Sequence, residues 1–125
     1  MQPSPELLAV LREYFADGPA GMTAWRDRYV DARDELRVIG TAAEWLAGDE
    51  AFAVLADESA HADVDVAVEV RDAEAFESGG VGWAACRPEL RMQDGSGLSL
   101  RWTAVFERAD DGWRLRQLHV SRPQG

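Results

Sequence analysis

The sequence predicts an α+β domain, with helices in its first half and a long antiparallel sheet in its second half. Apolar residues recur at helical spacing near the N terminus, as in Leu7, Leu8 and Leu11. In the last third of the chain, apolar runs are separated by Asp94-Gly95 and Asp111-Gly112. Asp-Gly is a strong hairpin signal because both residues tolerate a positive φ, so these runs predict an antiparallel meander.

Two helices are predicted in the first quarter of the chain. The first begins at Ser4, which can cap it, and Pro5 suits its first turn. It is predicted to end at Asp17-Gly18-Pro19, since glycine and proline interrupt helices. A second helical pattern covers residues 20–33 and places two aromatic residues one turn apart on the same face.

The middle of the chain predicts a short strand and a third helix. Residues 36–40 form the strand candidate. Residues 41–47 fit either a strand or a helix, and we expect the Trp45 side chain within them to be buried. Asp49 can cap a third helix, which is predicted to continue through Ser59.

Four long strands are predicted after the third helix. Valine occupies every second position from Val64 to Val70, which is typical of a strand with one face in the core and one in water. Ser78-Gly79-Gly80 then turns the chain into the meander. The strands of the meander are predicted at residues 81–92, 98–108 and 113–121.

Composition excludes several classes of function. The 125 residues are enough for one domain, and we expect residues 1–125 to form a single one. The formal net charge of −10 disfavours binding to nucleic acids or to anionic membrane surfaces, because both need clustered cations. All 13 basic residues are arginine, so no lysine is available for Schiff-base catalysis or for a phosphate-binding loop.

Cysteine and histidine usage predicts a cytoplasmic protein without a metal. Cys86 is the single cysteine, so no internal disulfide can form, and we expect it to be buried as a small apolar residue. The N terminus lacks the pattern of a secretory signal, and no apolar run reaches the roughly 18 residues of a membrane span. His61 and His119 have no carboxylates at ligand spacing, so we expect neither a metal site nor a cofactor.

The chain resembles a SnoaL-like domain of the nuclear transport factor 2-like superfamily. That superfamily also includes ketosteroid isomerases, polyketide cyclases and the association domain of calcium/calmodulin-dependent kinases. The most specific matching block is Gly112-Trp113 followed by His119-Val120-Ser121, which is similar to the end of the kinase association domain. The other matching segments are Val38-Ile39-Gly40-Thr41, Glu44-Trp45, Gly48-Asp49-Glu50, residues 81–88 and residues 100–105.

The resemblance implies a cone-shaped architecture. A strongly curved antiparallel sheet is expected to wrap around three helices from the first half of the chain, with a pocket between sheet and helices. The resemblance also implies a homodimer that forms through the outer face of the sheet. It does not fix a function, because one fold hosts many activities.

The chain departs from the catalytic pattern of the ketosteroid isomerases. In those enzymes the first strand supplies a carboxylate base, but the matching position here is Ile39 or Gly40. A protonated acid on a later strand of those enzymes donates to the developing oxyanion, yet Thr103 or Ala104 stands at the matching position here. Tyr14 does match the tyrosine that completes that oxyanion site.

Four side chains are candidates for acid–base chemistry. Tyr14 and His119 are the catalytic candidates, the histidine because its pKa lies near neutrality. An equally weighted alternative places His119 on the sheet surface at an interface, donating to a backbone carbonyl. Asp34 and Glu35 lie close enough to the first strand to replace the missing base.

Arg87 and Arg101 are the candidates for ligand recognition. The resemblance places them near positions similar to pocket arginines of the kinase association domain. If they face the cone interior, the natural ligand is a small carboxylate, which a guanidinium binds through two parallel hydrogen bonds. The alternative is an outward-facing guanidinium or a salt bridge to one of three carboxylates, Glu89, Asp65 and Glu107.

Aromatic residues are candidates for the wall of the pocket. Tyr14, Trp25 and Trp45 are included in the predicted ligand-binding set, together with Arg87, Arg101 and His119. Aromatic residues at helical spacing are more often part of an ordinary core, and that interpretation carries the greater weight. Pockets for small organic molecules are nevertheless mostly apolar, with a few polar groups.

Two functions remain open from the sequence. The first is binding of a small, partly apolar ligand that is anionic or carries a carbonyl group, with isomerase, dehydratase or cyclase chemistry through proton transfer. The second is a non-catalytic module for homodimerisation or protein interaction, which the missing carboxylates favour. Whether the protein is an enzyme is left undecided at this point.

Overall fold

One curved sheet forms most of the molecule, and a computed structural model describes residues 1–16, 18–41, 43–55, 67–92 and 94–123. The strands lie side by side in the order β1-β4-β5-β7-β8-β2-β3, and the short β6 pairs with β5. Every strand pair is antiparallel except β2 with β8, which is parallel. The strands are β1 Gln2–Pro3, β2 Arg37–Ile39, β3 Trp45–Ala47, β4 Ala67–Ser78, β5 Val81–Arg91, β6 Gly97–Ser99, β7 Arg101–Ala109 and β8 Gly112–Ser121.

Three α-helices cover the concave face of the sheet. A short 3₁₀-helix lies in the chain between α2 and β2. The helices are α1 Pro5–Ala16, α2 Gly18–Tyr29 and α3 Gly48–Val54, with the 3₁₀-helix at Arg33–Glu35. The α+β class and the curved antiparallel sheet are thus confirmed. None of the described helices is long and apolar enough to cross a membrane.

Helix α1 begins as predicted and anchors the helical layer. The Ser4 hydroxyl caps it by accepting a hydrogen bond from the Leu7 amide at 3.2 Å. Leu7 and Leu11 are fully buried against the sheet. Gly82 on β5 lies where helix α1 packs tightly on the sheet. A Cβ added at Gly82 would overlap Leu7 Cδ1 and lie 2.9 Å from the Phe76 carbonyl oxygen.

Strict alternation along β5 and β7 divides the sheet into an inner and an outer face. The inner residues Ala84, Cys86, Trp102, Ala104 and Phe106 are all buried. Their neighbours in sequence therefore face outward. This alternation decides which predicted site residues can reach the interior.

Two irregularities help to bend the sheet, because a β-bulge increases local twist and curvature. One lies in β4 between Arg71 and Glu74, where Asp72 adopts a positive φ of 55°. The other lies between β7 and β8, where Phe106 pairs with Leu115 and the preceding Val105 pairs with Gln117.

Several predicted boundaries differ from the structure. Helix α2 ends at Tyr29 rather than at residue 33, because Asp31 leaves the helix to bind Arg116 Nη1 on β8 at 2.7 Å. The strand predicted at residues 98–108 is broken after β6, where the Leu100 amide donates to the Pro88 carbonyl at 2.9 Å. Helix α3 is described to Val54, and the rest of its predicted span lies outside the described residues, as does the start of the Val64–Val70 strand.

Candidate functional site

A cavity of about 460 Å³ opens between helix α1, the inner face of the sheet and the β2–β3 turn. Its wall is predominantly apolar. A cavity of this size and character is typical of sites for small organic molecules. The lining residues are Tyr14, Phe15, Met22, Val38, Ile39, Gly40, Thr41, Glu44, Leu46, Val54, Leu55, Val68, Pro88, Leu90, Met92, Leu100, Trp102, Leu118 and Val120.

Tyr14 is a neutral hydrogen-bond donor in this wall. Its ring contacts Phe15, Trp25 and Trp102, with ring centroids 4.8, 5.0 and 5.2 Å away. Burial raises the pKa of Tyr14 to about 12, and the nearby Trp102 indole opposes that shift. The phenol therefore keeps its proton throughout the neutral pH range and can donate it in a hydrogen bond.

Trp102 supplies a second donor beside Tyr14. The residue is 1% exposed, and its Nε1 group has no hydrogen-bond partner among the described residues. The indole N–H is directed towards the Tyr14 hydroxyl and lowers its pKa in the way a hydrogen-bond donor does, although the contact falls outside ordinary hydrogen-bond geometry. A buried N–H without an acceptor costs about 1–3 kcal/mol, so a ligand acceptor at this point would be favourable.

Glu44 is the single charged side chain among the described residues that line the cavity. It stands at the start of β3 and faces Gly40 across the turn that joins β2 to β3. The Gly40 amide donates to the Glu44 carbonyl at 3.1 Å. A Cβ added at Gly40 would lie 2.7 Å from Glu44 Oε2, so the carboxylate occupies the space of a missing side chain.

Arg87 and Arg101 take the outward orientation that the sequence left open as the alternative. Both lie at outward positions of their strands, since the inner positions of β5 and β7 hold Cys86 and Trp102. The Arg87 side chain is 71% exposed and forms a salt bridge with Asp72 at 2.7 Å. Arg101 is exposed and donates to the backbone carbonyl of Arg122 at 3.4 Å.

Comparison with known proteins identifies the family. The SnoaL-like domain family matches residues 9–125, which is nearly the whole chain. The chain belongs to the SnoaL-like domain family. No curated protein sequence is significantly similar to it.

Solved structures share the fold of this SnoaL-like domain at low sequence identity. A candidate dehydratase of the nuclear transport factor 2-like family from Streptomyces avermitilis superposes with a TM-score of 0.77 at 16% identity, covering 96% of this chain and 95% of that one. A candidate association domain of calcium/calmodulin-dependent protein kinase type II from Thiobacillus denitrificans gives 0.74 at 21% identity, covering 99% and 98%. A candidate ketosteroid isomerase from Shewanella frigidimarina gives 0.73 at 13% identity, covering 90% and 92%.

His119 does not line the cavity of the SnoaL-like domain. It pairs with Thr103 across β7 and β8, and both residues lie at outward positions. Its neighbours Leu118 and Val120 point the other way and do line the cavity. The alternative interpretation, a histidine on the outer sheet surface, therefore agrees with its position.

The predicted aromatic residues divide between cavity, core and surface. Tyr14 lines the cavity, whereas Trp25 is buried beside it and donates from Nε1 to the Val10 carbonyl at 3.0 Å. Trp45 is 73% exposed, so the prediction that it is buried is wrong. The reason is the alternation of side chains along β3, in which Leu46 faces the cavity and Trp45 takes the opposite side of the short strand.

The position that matches the carboxylate base of the isomerases lies in the cavity wall but carries no acid. Ile39 and Gly40 line the cavity. Asp34 and Glu35 are absent from its wall, and Glu35 forms a salt bridge with Arg116 at 3.6 Å.

Glu44 is a cavity residue that the sequence analysis did not identify as a candidate. The available signal was the return of the chain after Gly40, since a tight turn between two strands places residues 40 and 44 opposite each other.

A second cleft of about 340 Å³ lies beside helix α1 and the β7–β8 turn. It contains Arg28 and Arg114, but both are already paired, with Glu13 at 3.1 Å and with Asp111 at 2.5 Å. No group of three or more His, Cys, Asp or Glu side chains within the described ranges is placed to hold a metal ion. His61 lies outside those ranges.

Proposed function

We propose that this SnoaL-like domain binds a small, mainly apolar molecule with a carbonyl group in the 460 Å³ cavity. The proposal includes proton transfer next to that carbonyl, of the kind that isomerases, dehydratases and cyclases perform. The observation that carries it is the pair of donors in an otherwise apolar wall. The proposal assigns the ligand oxygen to the Tyr14 O–H group, with the unpartnered N–H of Trp102 beside it as the second donor.

The electrostatics of the wall favour a carbonyl over a carboxylate. Both arginines that supported an anionic ligand lie on the outer face of the sheet. Tyr14 stays neutral because burial raises its pKa to about 12. Neutral donors in a water-poor cavity stabilise a carbonyl oxygen and, more strongly, the negative charge that develops on it when a neighbouring carbon loses a proton.

The proposed reaction needs a group to accept that proton. Glu44 is the carboxylate in the described cavity wall, so it is the natural acceptor. The C–H bond breaks and its electron pair forms a C=C bond while the C=O π electrons move onto oxygen, which gives an enolate. The proton then returns to the same carbon, or to the γ-carbon when the ligand carries a C=C bond conjugated with the enolate. The names of the candidate dehydratase and the candidate ketosteroid isomerase are in keeping with such chemistry.

Thermal unfolding with a bicyclic ketone such as decalone tests the binding step. A ligand that binds the folded state raises Tm by mass action, and decalone should do so more than decalin alcohol or decalin carboxylate at equal concentration. Tyr14→Phe should reduce the affinity for decalone by about 2- to 10-fold, which corresponds to one hydrogen bond. Equal shifts in the wild type and in Tyr14→Phe would contradict the assigned role.

Proton transfer is tested by isotope exchange. In D₂O the protein should accelerate loss of the α-proton signals of decalone in a ¹H NMR time course. Arg87→Ala serves as the matched control, because that side chain lies outside the cavity and should leave the exchange rate unchanged. Binding without accelerated exchange would limit the proposal to a binding protein.

A homodimerisation module is the second candidate function, and one observation favours it. The outer face of the sheet carries the exposed side chains Val81 and Val105 beside the Phe76 and Trp83 rings, which contact each other at a tilt of 36° with centroids 5.0 Å apart. Apolar residues gathered on an exposed sheet face are typical of an interface. Sedimentation equilibrium of the wild type and of Trp83→Arg tests it, since a dimer through this face should dissociate in the variant.

A further inference from the structure

Glu44 is brought to the cavity by an unusual local backbone. Ala43, immediately before it, has a positive φ of 66°, a conformation that costs a residue with a Cβ about 1 kcal/mol or more. Strained positions persist where the surrounding structure holds them, and they are concentrated at functional sites. The backbone is thus strained at Ala43, where the chain returns from β2 towards β3, and Glu44 follows directly.

Gly40 makes room for the Glu44 carboxylate on the other side of the turn. An added Cβ would lie 2.7 Å from Oε2, closer than real Cβ atoms approach, and 3.0 Å from Cδ, so the flexible end of the Glu44 side chain would have to move away. Gly40 is not required here for its backbone angles, since its φ is not positive. The glycine is therefore explained by the carboxylate that lies against it.

We infer that Glu44 sets the class of ligand that the cavity accepts: the ligand presents a hydroxyl or amine to this carboxylate, and carboxylic acids are rejected. This inference rests on the proposed function of the cavity. This preference is opposite to the one expected if Arg87 and Arg101 faced the cavity, which would favour a carboxylate ligand. The apolar lining, with Val38, Leu46 and Leu118 nearby, offers an anion no compensating charge within the described residues.

The physical basis is the cost of placing like charges together in an apolar wall. A carboxylate ligand would bring a second negative charge towards Glu44 in surroundings that screen charges less than water does. A hydroxyl or ammonium group would instead donate a charge-assisted hydrogen bond to it. Tyr14 and Trp102 donate from other elements, α1 and β7, so they serve an acceptor elsewhere on the same ligand.

Adamantylamine and adamantane carboxylate are matched probes for this inference. They share one apolar body and differ in the sign of one charged group. Titration calorimetry of the wild type should give an affinity for the amine that exceeds that for the carboxylate by about tenfold or more, as expected for a hydrogen bond to a charged group. Adamantanol should fall between them.

Glu44→Gln removes the charge and keeps the shape, so the amine-to-carboxylate ratio should approach one. Glu50→Gln is the control, because it removes the same charge from an exposed position on α3 and should leave the ratio unchanged. Gly40→Ala is a second variant that keeps the charge but displaces the carboxylate, and it should also lower the ratio. Circular dichroism establishes that each variant is folded.

Two results would overturn the inference. One is a wild-type ratio near one, and the other is a ratio that persists unchanged in both Glu44→Gln and Gly40→Ala. Failure of both adamantane probes to bind the wild type would count against it as well. The Tm shift with decalone reports on the binding step of the proposed function separately, because decalone carries no charged group and its proposed contact with Tyr14 does not involve Glu44, whereas the isotope exchange does.

Discussion

The indole of Trp102 lies against the ring of Tyr14, with ring centroids 5.2 Å apart, and both side chains line the apolar cavity of about 460 Å³. One residue comes from helix α1 and the other from strand β7. The two side chains therefore meet only when the helix packs onto the sheet. The polar chemistry of the cavity depends on that packing.

Replacement of Gly82 by alanine tests how closely α1 packs on the sheet. The added Cβ would overlap Leu7 and lie 2.9 Å from a backbone oxygen, so we expect a loss of about 1–3 kcal/mol in the free energy of unfolding. Urea denaturation measures it. Gly80→Ala is the matched control, because a Cβ there meets nothing within 4 Å and its φ is not positive. Equal stability of the two variants would contradict the packing described.

Asp31 connects the loop after α2 to strand β8. Its carboxylate accepts from Arg116 at 2.7 Å and lies 3.7 Å from Arg114, and hydrogen bonds to Arg116 and Ala32 lower its pKa against the opposing effect of burial. Because Asp31 is about half exposed, Asp31→Asn should cost only about 0.5–1 kcal/mol. Urea denaturation near neutral pH, with Asp110→Asn in the exposed β7–β8 turn as control, measures that cost.

The pH dependence of this contribution has a definite sign. The folded pKa of Asp31 lies below its unfolded value of 3.8, so its stabilisation is present above pH 3.8 and is lost as pH falls through the folded pKa. The stability difference between wild type and Asp31→Asn should therefore shrink on acidification. A difference that grows at low pH would contradict the assignment.

The raised pKa of Tyr14 predicts that the folded protein loses stability at high pH. Its pKa is raised from 10.0 to about 12 in the folded state, so the unfolded chain loses this proton first. The stabilisation is complete below pH 10 and declines as pH rises towards 12. Urea midpoints between pH 9 and 11 should fall less steeply in Tyr14→Phe than in the wild type. Parallel slopes would contradict the burial of the phenol.

Cys86 should be unreactive in the folded protein. It is 4% exposed, and burial raises the pKa of its thiol to about 12, so almost no thiolate is present at neutral pH. Ellman's reagent should modify it slowly in buffer and rapidly in guanidinium chloride. Fast modification in buffer would mean that the inner face of β5 is accessible to solvent.

Much of the fold could be predicted from the sequence, because local signals and the family resemblance agreed. Asp111-Gly112 marked the last hairpin, and Ser4 marked the start of α1. The short strand β1 could not be predicted, since it depends on the Ser4 amide reaching Ala75 across the chain. The early end of α2 was missed because Asp31 binds an arginine 85 residues away.

The site was less predictable because it depends on strand register. A shift of one residue decides whether a strand side chain faces the core or solvent, and the observed register places Arg87 and His119 outside the cavity that Tyr14 lines. Trp102 was named within a family motif but not as a donor, because its missing partner is visible only in three dimensions. Glu44 required the pairing of two short strands.

The most direct test of the account is the ¹H–¹⁵N spectrum of the five tryptophan indoles during titration with decalone. Trp102→Phe assigns the relevant signal, and Trp113 is an internal control, since its Nε1 is likewise buried without a partner in the described residues but lies outside the cavity wall. The account predicts that the Trp102 indole proton moves downfield as it donates to the carbonyl while the Trp113 signal stays in place. A saturating titration in which the Trp102 signal does not move would contradict it.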